Sequence, residues 1–401
     1  MASKKYKLLL GLLVIMTSST FAQMGKSYNV YDSSVITKKG KKQQNEFWNN
    51  TYNFPAKPRN MWEVGVSLAT LGVSGDVAAK LPTFGFEAHV RKSIGYVFSL
   101  RLQYVNGVAK GQNWQGSSNF SKNPAWGANL PANIAADYKA NGAVPVYYNY
   151  KTNIQDLSLQ GIVSLNQIRF HKQKTGISAY GGLGIGVTWY KTMINAYNES
   201  RGESYNNLFQ SINTSAVYKN RKEIRKELKN GMDNTYETKA ETEGGSRRPT
   251  LGNNTLVPSG TILFGVAYKF SKRINMALEG RHTFVKTDLL DGQQWQEAPL
   301  GDAAQTRDYD SWSSLSLGLN FNLGGKSVEP LWWLNPLDYA YSELNNPKHM
   351  KLPKPVFDDA DGDGVVDQLD REPNTPAGAP VDTHGVSKDT DGDGVADFQD
   401  K

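Results

Sequence analysis

Tyr96-Val97-Phe98-Ser99-Leu100-Arg101-Leu102-Gln103-Tyr104 sets a bulky apolar or aromatic residue at every even position and mostly polar residues between them. Successive side chains of a β-strand point to opposite faces, so this alternation predicts a strand with one greasy and one polar side. Its length suits a strand that crosses a bilayer at a tilt, which takes ~9–11 residues.

The same pattern recurs on both sides of it. Trp62, Val64, Val66 and Leu68 alternate with Glu63, Gly65, Ser67 and Ala69, and Phe84, Phe86, Ala88 and Val90 with Gly85, Glu87, His89 and Arg91. Further along come Leu157–Leu165, Ile177–Tyr190, Ile262–Phe270, Ile274–Phe284 and Leu315–Leu323, eight segments in all. The connections then alternate in length. Lys92–Gly95, Gln167–Gly176 and Ser271–Arg273 are short, whereas 71–82, 106–153, 191–257 and 286–311 are long. A soluble sandwich has no reason to keep that rhythm. A membrane barrel has short periplasmic turns and long outer loops. The expected fold is therefore all-β: an eight-stranded antiparallel up-and-down transmembrane β-barrel over 61–324 with long extracellular loops.

The outward positions are aliphatic, with Trp62, Tyr96, Tyr104, Trp189 and Tyr268 near strand ends, where an aromatic girdle lies. Inward positions carry Gly, Ser and Asn together with Glu63, Glu87, Arg91, Arg101, Lys269, Glu279 and Arg281. Eight strands leave an interior that side chains fill, and charges buried there need partners. A plugged lumen laced with ion pairs follows, with no wide channel.

Composition agrees. A mean hydropathy of −0.53 excludes a helical membrane protein, and Gly, Tyr and Trp are abundant. Cysteine is absent, which removes disulfides, thiol nucleophiles and Cys-based zinc sites. Lys4, Lys5 and Lys7 ahead of the apolar run Leu8–Met16, then Thr20-Phe21-Ala22, predict an export signal over 1–22. Nine apolar residues are too few to span roughly 30 Å of hydrocarbon. Residues 23–60 are basic and are expected on the periplasmic side, and 325–354 read as a linker that packs against the barrel base.

Three features invite chemical readings that the local pattern opposes. Tyr180-Gly-Gly-Leu-Gly-Ile-Gly186 resembles a phosphate loop, but alternation continues through Val187 and Trp189 where a helix would have to begin. Small lumen-facing residues explain it better. The histidines at 89, 171, 282, 349 and 384 have no ligand spacing, and no catalytic constellation is expected. Ala216–Asp233 carries Lys219, Arg221, Lys222, Arg225, Lys226 and Lys229 around Ile224 and Leu228. It reads as a short basic helix or an unstructured excursion with a solvated face, with contact to anionic lipopolysaccharide as the alternative. No nucleic-acid recognition motif accompanies it.

Residues 355–401 are different, with thirteen Asp/Glu against Arg371, Lys388 and Lys401. Two twelve-residue loops stand thirty residues apart, beginning at Asp359 and Asp389. The first places acids at Asp359, Asp361, Asp363, Asp367 and Asp370, with Gly364 sixth and Val365 seventh; the second has Asp389, Asp391, Asp393, Asp397 and Asp400, with Gly394 and Val395. Converging carboxylates, a glycine for the sharp turn and a backbone carbonyl at position seven form a hard-oxygen set suited to Ca2+. Aspartate rather than glutamate at position twelve, and no flanking amphipathic helices, separate these loops from an EF-hand.

The two loops, joined by Glu372-Pro-Asn-Thr-Pro-Ala-Gly378, resemble cysteine-poor thrombospondin type 3 repeats. With the export signal and the barrel, the chain resembles the OmpA-like outer-membrane proteins of Bacteroidetes-type bacteria. That resemblance implies a periplasmic tail reaching toward peptidoglycan or a periplasmic protein, and lipid as the barrel's surroundings. The family's repeats usually lead into a peptidoglycan-binding domain. No such domain is legible up to Lys401, so either the chain continues into one or its tail lacks wall binding. A structural role is expected, with a small-solute porin and a surface adhesin or receptor as alternatives.

Overall fold

The structure, a computed structural model, describes residues 28–140, 145–165, 176–212, 218–241, 249–297, 303–305, 308–337, 339–340, 344 and 356–401. The leader, the Gln167–Gly176 turn apart from Gly176, His171, His349 and much of the expected linker lie outside them. The chain divides into two units, 1–342 and 343–401.

In the first unit eight long strands close on themselves: β1 Trp62–Ser74, β2 Gly85–Ser93, β3 Phe98–Gln112, β4 Asn149–Ser164, β5 Ile177–Ile194, β6 Asn254–Lys269, β7 Ile274–Val285 and β8 Ser311–Leu323. Each pairs antiparallel with its sequence neighbour, and β1 pairs with β8, Trp62 opposite Leu323 and Ser74 opposite Ser311. Closure leaves none of the eight with a bare edge along its length. One end carries the tight turns, where Ile94 N–H donates to Phe98 O and Phe270 N–H to Ile274 O. The other end carries the four long connections.

The outward residues of every strand are exposed side by side: Leu68, Phe86, Leu100, Leu159, Ile185, Phe264, Leu278 and Leu317 among them. The strands nevertheless run further than the sequence pattern foretold. β3 continues to Gln112, β4 starts at Asn149 and β5 ends at Ile194.

The reason is an inversion of polarity along each strand. Nearer the turns, apolar residues face out and polar ones face in. Above Tyr104, Gln155 and Trp189, Leu71, Val73, Val105, Ala109, Tyr150, Ile154, Tyr190 and Ile194 point inward and are buried. Their outward neighbours there are Asn106, Lys110, Lys151, Asn153 and Lys191. The alternation persists, but the greasy side has changed. The interior is therefore not polar throughout, as the sequence led us to expect; its loop-side half is an apolar core.

That core extends into the loops. α2 (Ala132–Ala140), α3 (Asn206–Ser211) and α4 (Arg221–Gly231) pack over the barrel mouth, whereas α1 (Lys41–Trp48) belongs to the N-terminal segment. Trp126 lies 5.7 Å from Tyr138, 5.8 Å from Tyr148 and 6.4 Å from Phe209, ring centre to ring centre. Ile224 and Leu228, four apart on α4, are buried in the same cluster. Each aromatic ring buries ~150–250 Å², so these loops form a folded head.

The turn end is also closed. Trp332 and Trp333 lie buried with Ile162, Tyr180, Leu263, Ala267 and Ala277. The stretch Leu331–Trp333, read from sequence as linker, thus packs into the barrel base. The N-terminal segment folds on itself through the Ile36–Pro58 bridge and is tied to the same region by the Asn60–Val328 bridge.

Candidate functional site

The lumen holds the first cluster of functional groups. Arg101 on β3 donates from Nη1 to Glu279 Oε2 and from Nη2 to Glu279 Oε1, both at 2.7 Å. β3 and β7 stand opposite one another in an eight-strand ring, so this pair bridges the full width of the barrel. Tyr180 Oη donates to Glu279 at 2.8 Å, and Arg101 Nε to Gln160 Oε1 at 2.7 Å. One layer nearer the loops, Arg281 on β7 pairs with Asp156 on β4, which also accepts from Thr188 (2.7 Å) and Ser259 (2.9 Å). One layer nearer the turns, Glu63 faces His89 at 3.6 Å and Arg91 at 3.9 Å and accepts from Asn275 at 2.9 Å.

Glu87 has no cation at hydrogen-bond range among the described residues; Gln103 and Ser314 donate to it, each at 2.9 Å. Lys269 bonds Glu329 at 3.1 Å. At the base the Arg91 guanidinium sits 3.8 Å over the Trp332 ring. The glycines of the false phosphate loop make room for these groups. A Cβ on Gly184 would lie 2.7 Å from Gln160 Cγ, and one on Gly186 would lie 2.8 Å from Ser158. The expected ion-paired lumen is present; Asp156 and Gln160, two of its central members, carried no signal beyond a polar residue at an inward position.

Outside, Tyr104 Oη and Trp189 Nε1 both donate to Gln155 Oε1, at 3.0 and 2.8 Å, with their rings 6.1 Å apart. Trp62 and the Tyr268–Phe270 pair stand at the turn end. Aromatic residues thus mark both borders of the apolar belt.

In the head, Asp291 and Asp310 are buried side by side. Val77 N–H donates to Asp291 Oδ2 and Leu290 N–H to Asp310 Oδ2, each at 2.8 Å. Burial first, then their own and neighbouring Asp charges, hold both carboxyls well above the ordinary range.

The second unit carries the acidic loops. The structure brings Asp359, Asp361 and Asp363 together, with ligand oxygens within 4.8 Å of one another, and likewise Asp389, Asp391 and Asp393. Gly364 and Gly394 sit at φ +92° and +88°, where a side chain is strained. Their N–H groups donate to Asp359 Oδ2 and Asp389 Oδ2, at 3.1 and 2.9 Å. Val365 and Val395 donate to Asp363 and Asp393.

Asp367 and Asp397 instead accept from the N–H groups of Ala360 (2.8 Å) and Thr390 (2.7 Å), bracing each loop from outside its acidic triad. The Thr390 hydroxyl and N–H hold the Asp397 carboxyl below the usual range. Asp370 and Asp363 both face Gly385, whose Cβ would overlap Asp370 Oδ1 and come within 3.2 Å of Asp363 Oδ2. Asp400 accepts from Lys401 N–H at 2.7 Å. Asp363 Oδ2 is buried and has no hydrogen-bond partner among the described residues. An all-oxygen donor set with one such orphaned carboxylate oxygen fits a hard divalent cation.

No protein-family model and no curated relative matches the chain. Among solved structures it is similar to Neisserial surface protein A, at 10% identity over 67% of this chain and 100% of that one, with a TM-score of 0.29. It is also similar to Ail, the attachment invasion locus protein of Yersinia pestis, at 8% identity over 66% and 99% of the two chains (TM-score 0.30). A third is a major outer membrane protein from Thermus thermophilus, at 9% identity over 65% and 99% (TM-score 0.28). The likeness is one of fold alone.

Proposed function

We propose that this protein is an outer-membrane anchor: a barrel embedded in lipid, closed to solute flow, whose acidic segment is stiffened by Ca2+ and links the membrane to the cell wall or to a periplasmic partner. The carrying observation is the belt of outward Leu, Ile, Phe and Val that circles all eight strands between two aromatic borders. An exposed apolar surface on that scale belongs against hydrocarbon. On β8 it runs from Leu315 to Leu323, about 26 Å along the strand at ~3.3 Å per residue.

The bridged lumen supports an anchor over a pore. Arg101–Glu279 and Arg281–Asp156 cross the interior in adjacent layers, an apolar core fills the mouth, and Trp332 and Trp333 fill the base. This reading assigns the chain no catalysis. In the acidic segment, Asp359, Asp361, Asp363 and Asp370 with the Val365 carbonyl, and their counterparts in the second loop, would hold the cation. Bound Ca2+ would neutralise carboxylates that otherwise repel, and so order the segment.

Three measurements test the proposal. The protein should stay with membranes through an alkaline carbonate wash and give no single-channel conductance in a planar bilayer. Limited proteolysis of the full chain should cut within 356–401 faster in EDTA than in Ca2+. A detergent-free soluble monomer would end the membrane reading; a cleavage rate indifferent to Ca2+ would end the stiffening role.

A further inference from the structure

α4 of the third long loop lies over the barrel rim and borders an open cleft of about 220 Å³. Five cations line it: Lys222, Arg225, Lys226 and Lys229 from the helix, and Lys80 from the first long loop. The lining contains no Asp or Glu. Neutral amides complete it, including Gln112 at the end of β3 and Asn234 beyond the helix.

Why the cations gather here follows from the helix. Ile224 and Leu228 commit one face to the head core, and Arg225 and Lys229, each one residue further on, are thereby turned toward the rim. Such a concentration of like charge is unfavourable by itself. Burial, then the charges of Lys229, Lys110 and Arg225, hold the Lys80 ammonium below the usual lysine range. Charge runs on helices are ordinarily neutralised by acids at i±3 or i±4. Here Glu223 and Glu227 are exposed and make no ion pair with these residues, and the five side chains have no hydrogen-bond or ion-pair partner among the described residues. Arg225 Nε is buried without any acceptor.

An Arg225 guanidinium whose Nε is buried without an acceptor and four ammonium groups around a small cleft lack one component, a compact acceptor with several negative charges. We propose that this cleft binds a phosphate-class oxyanion bearing at least two negative charges, gripped by Arg225 and Lys229 and closed over by Lys80. The guanidinium presents a planar fork that matches two oxygens of such a group, whereas a single carboxylate would leave most of the charge uncompensated. The cleft is too small for a folded partner but admits a pyrophosphate or a terminal phosphate ester. The site stands at the loop end of the barrel and does not depend on the acidic segment or on the lumen being closed.

The test uses the full chain in detergent at about 150 mM salt, where exposed charges are largely screened. One arm titrates inorganic pyrophosphate. The other uses mixed micelles containing phosphatidate, with phosphatidylcholine micelles as the control. The variant is Arg225→Gln with Lys229→Gln, which keeps Ile224 and Leu228 and hence the packing of the helix. Lys38→Gln with Lys39→Gln, in the N-terminal segment, controls for net charge.

Pyrophosphate should bind the parent chain and bind the α4 variant at least about tenfold more weakly, as expected for losing two charge-assisted contacts. The control should bind like the parent. Variant-sensitive binding of phosphatidate micelles alone would identify a lipid-borne source for the same chemistry. Binding equally strong in the α4 variant and the parent, or absent in both arms, would overturn the proposal, and near-ultraviolet circular dichroism of the variant verifies that the head is intact.

Discussion

Arg101 and Glu279, on opposite walls of the barrel, are joined by two parallel hydrogen bonds of 2.7 Å. Both residues are buried, and Gln160 and Tyr180 occupy further bonding positions on the two groups. Removing one partner strands the other as a buried, uncompensated charge. Arg101→Ala and Glu279→Ala should each destabilise the barrel by about 3–5 kcal/mol, read as a fall in the unfolding midpoint in detergent. Replacing both with apolar residues of similar volume should recover most of the loss.

Leu317 and Ser316 are neighbours on β8 that face opposite ways, Leu317 outward and Ser316 into the lumen, where it is buried. Leu317→Arg places a charge at mid-belt and should cost ~2–4 kcal/mol in folding into lipid vesicles. Leu317→Phe should be tolerated. Equal folding yields for Arg and Phe at this position would show that the belt does not contact hydrocarbon.

Gly364 occupies φ +92° inside the first acidic loop. Gly364→Val forces a branched side chain into a left-handed backbone, at about 1–2 kcal/mol. Protection of residues 356–401 from protease should then need several-fold more Ca2+, whereas Asp363→Asn should weaken it by removing charge. Strontium should substitute in part and magnesium poorly, because the smaller ion demands stricter geometry and holds its waters.

Asp291 and Asp310 face the same point beside Gly75; a Cβ there would lie 2.5 Å from Asp291 Oδ2 and closer still to Asp310 Oδ1. Asp76, Asp288 and the Tyr150 hydroxyl complete the acidic surroundings. In an unfolded chain both carboxyls titrate in the ordinary range, but in the head burial pushes Asp291 up to about 7 and Asp310 to about 9. The folded head binds more protons in between, so its stability is full at low pH and falls as pH rises through those values. Loop proteolysis should accelerate from about pH 4, most steeply up to about pH 7, and level off above about pH 9. Asp310→Asn should remove most of that dependence and protect the head at alkaline pH.

Much of the barrel was legible because lipid and lumen impose opposite demands on successive residues. Glu63, Arg101, Glu279 and Arg281 were identifiable as inward charges by parity alone, and the lengths of the connections fixed which ends carry turns. The strand tops were not legible. Beyond Tyr104, Gln155 and Trp189 the apolar side turns inward, and a search for greasy outward faces stops there although the hydrogen-bonded ladder continues. Lumen partners were equally hidden. Parity says that Arg101 points in but not that Glu279, from a strand 178 residues away in sequence, meets it.

The sequence by itself determined the alternation, its eightfold recurrence and the two aspartate loops, since each depends only on spacing along one stretch of backbone. Only the tertiary structure decided that the long connections fold into an aromatic head, which residues Trp332 and Trp333 meet at the base, and that Lys80 joins the cations of α4. Those outcomes rest on contacts between residues far apart in the chain, brought together by barrel closure and by the burial of rings that no local pattern pairs.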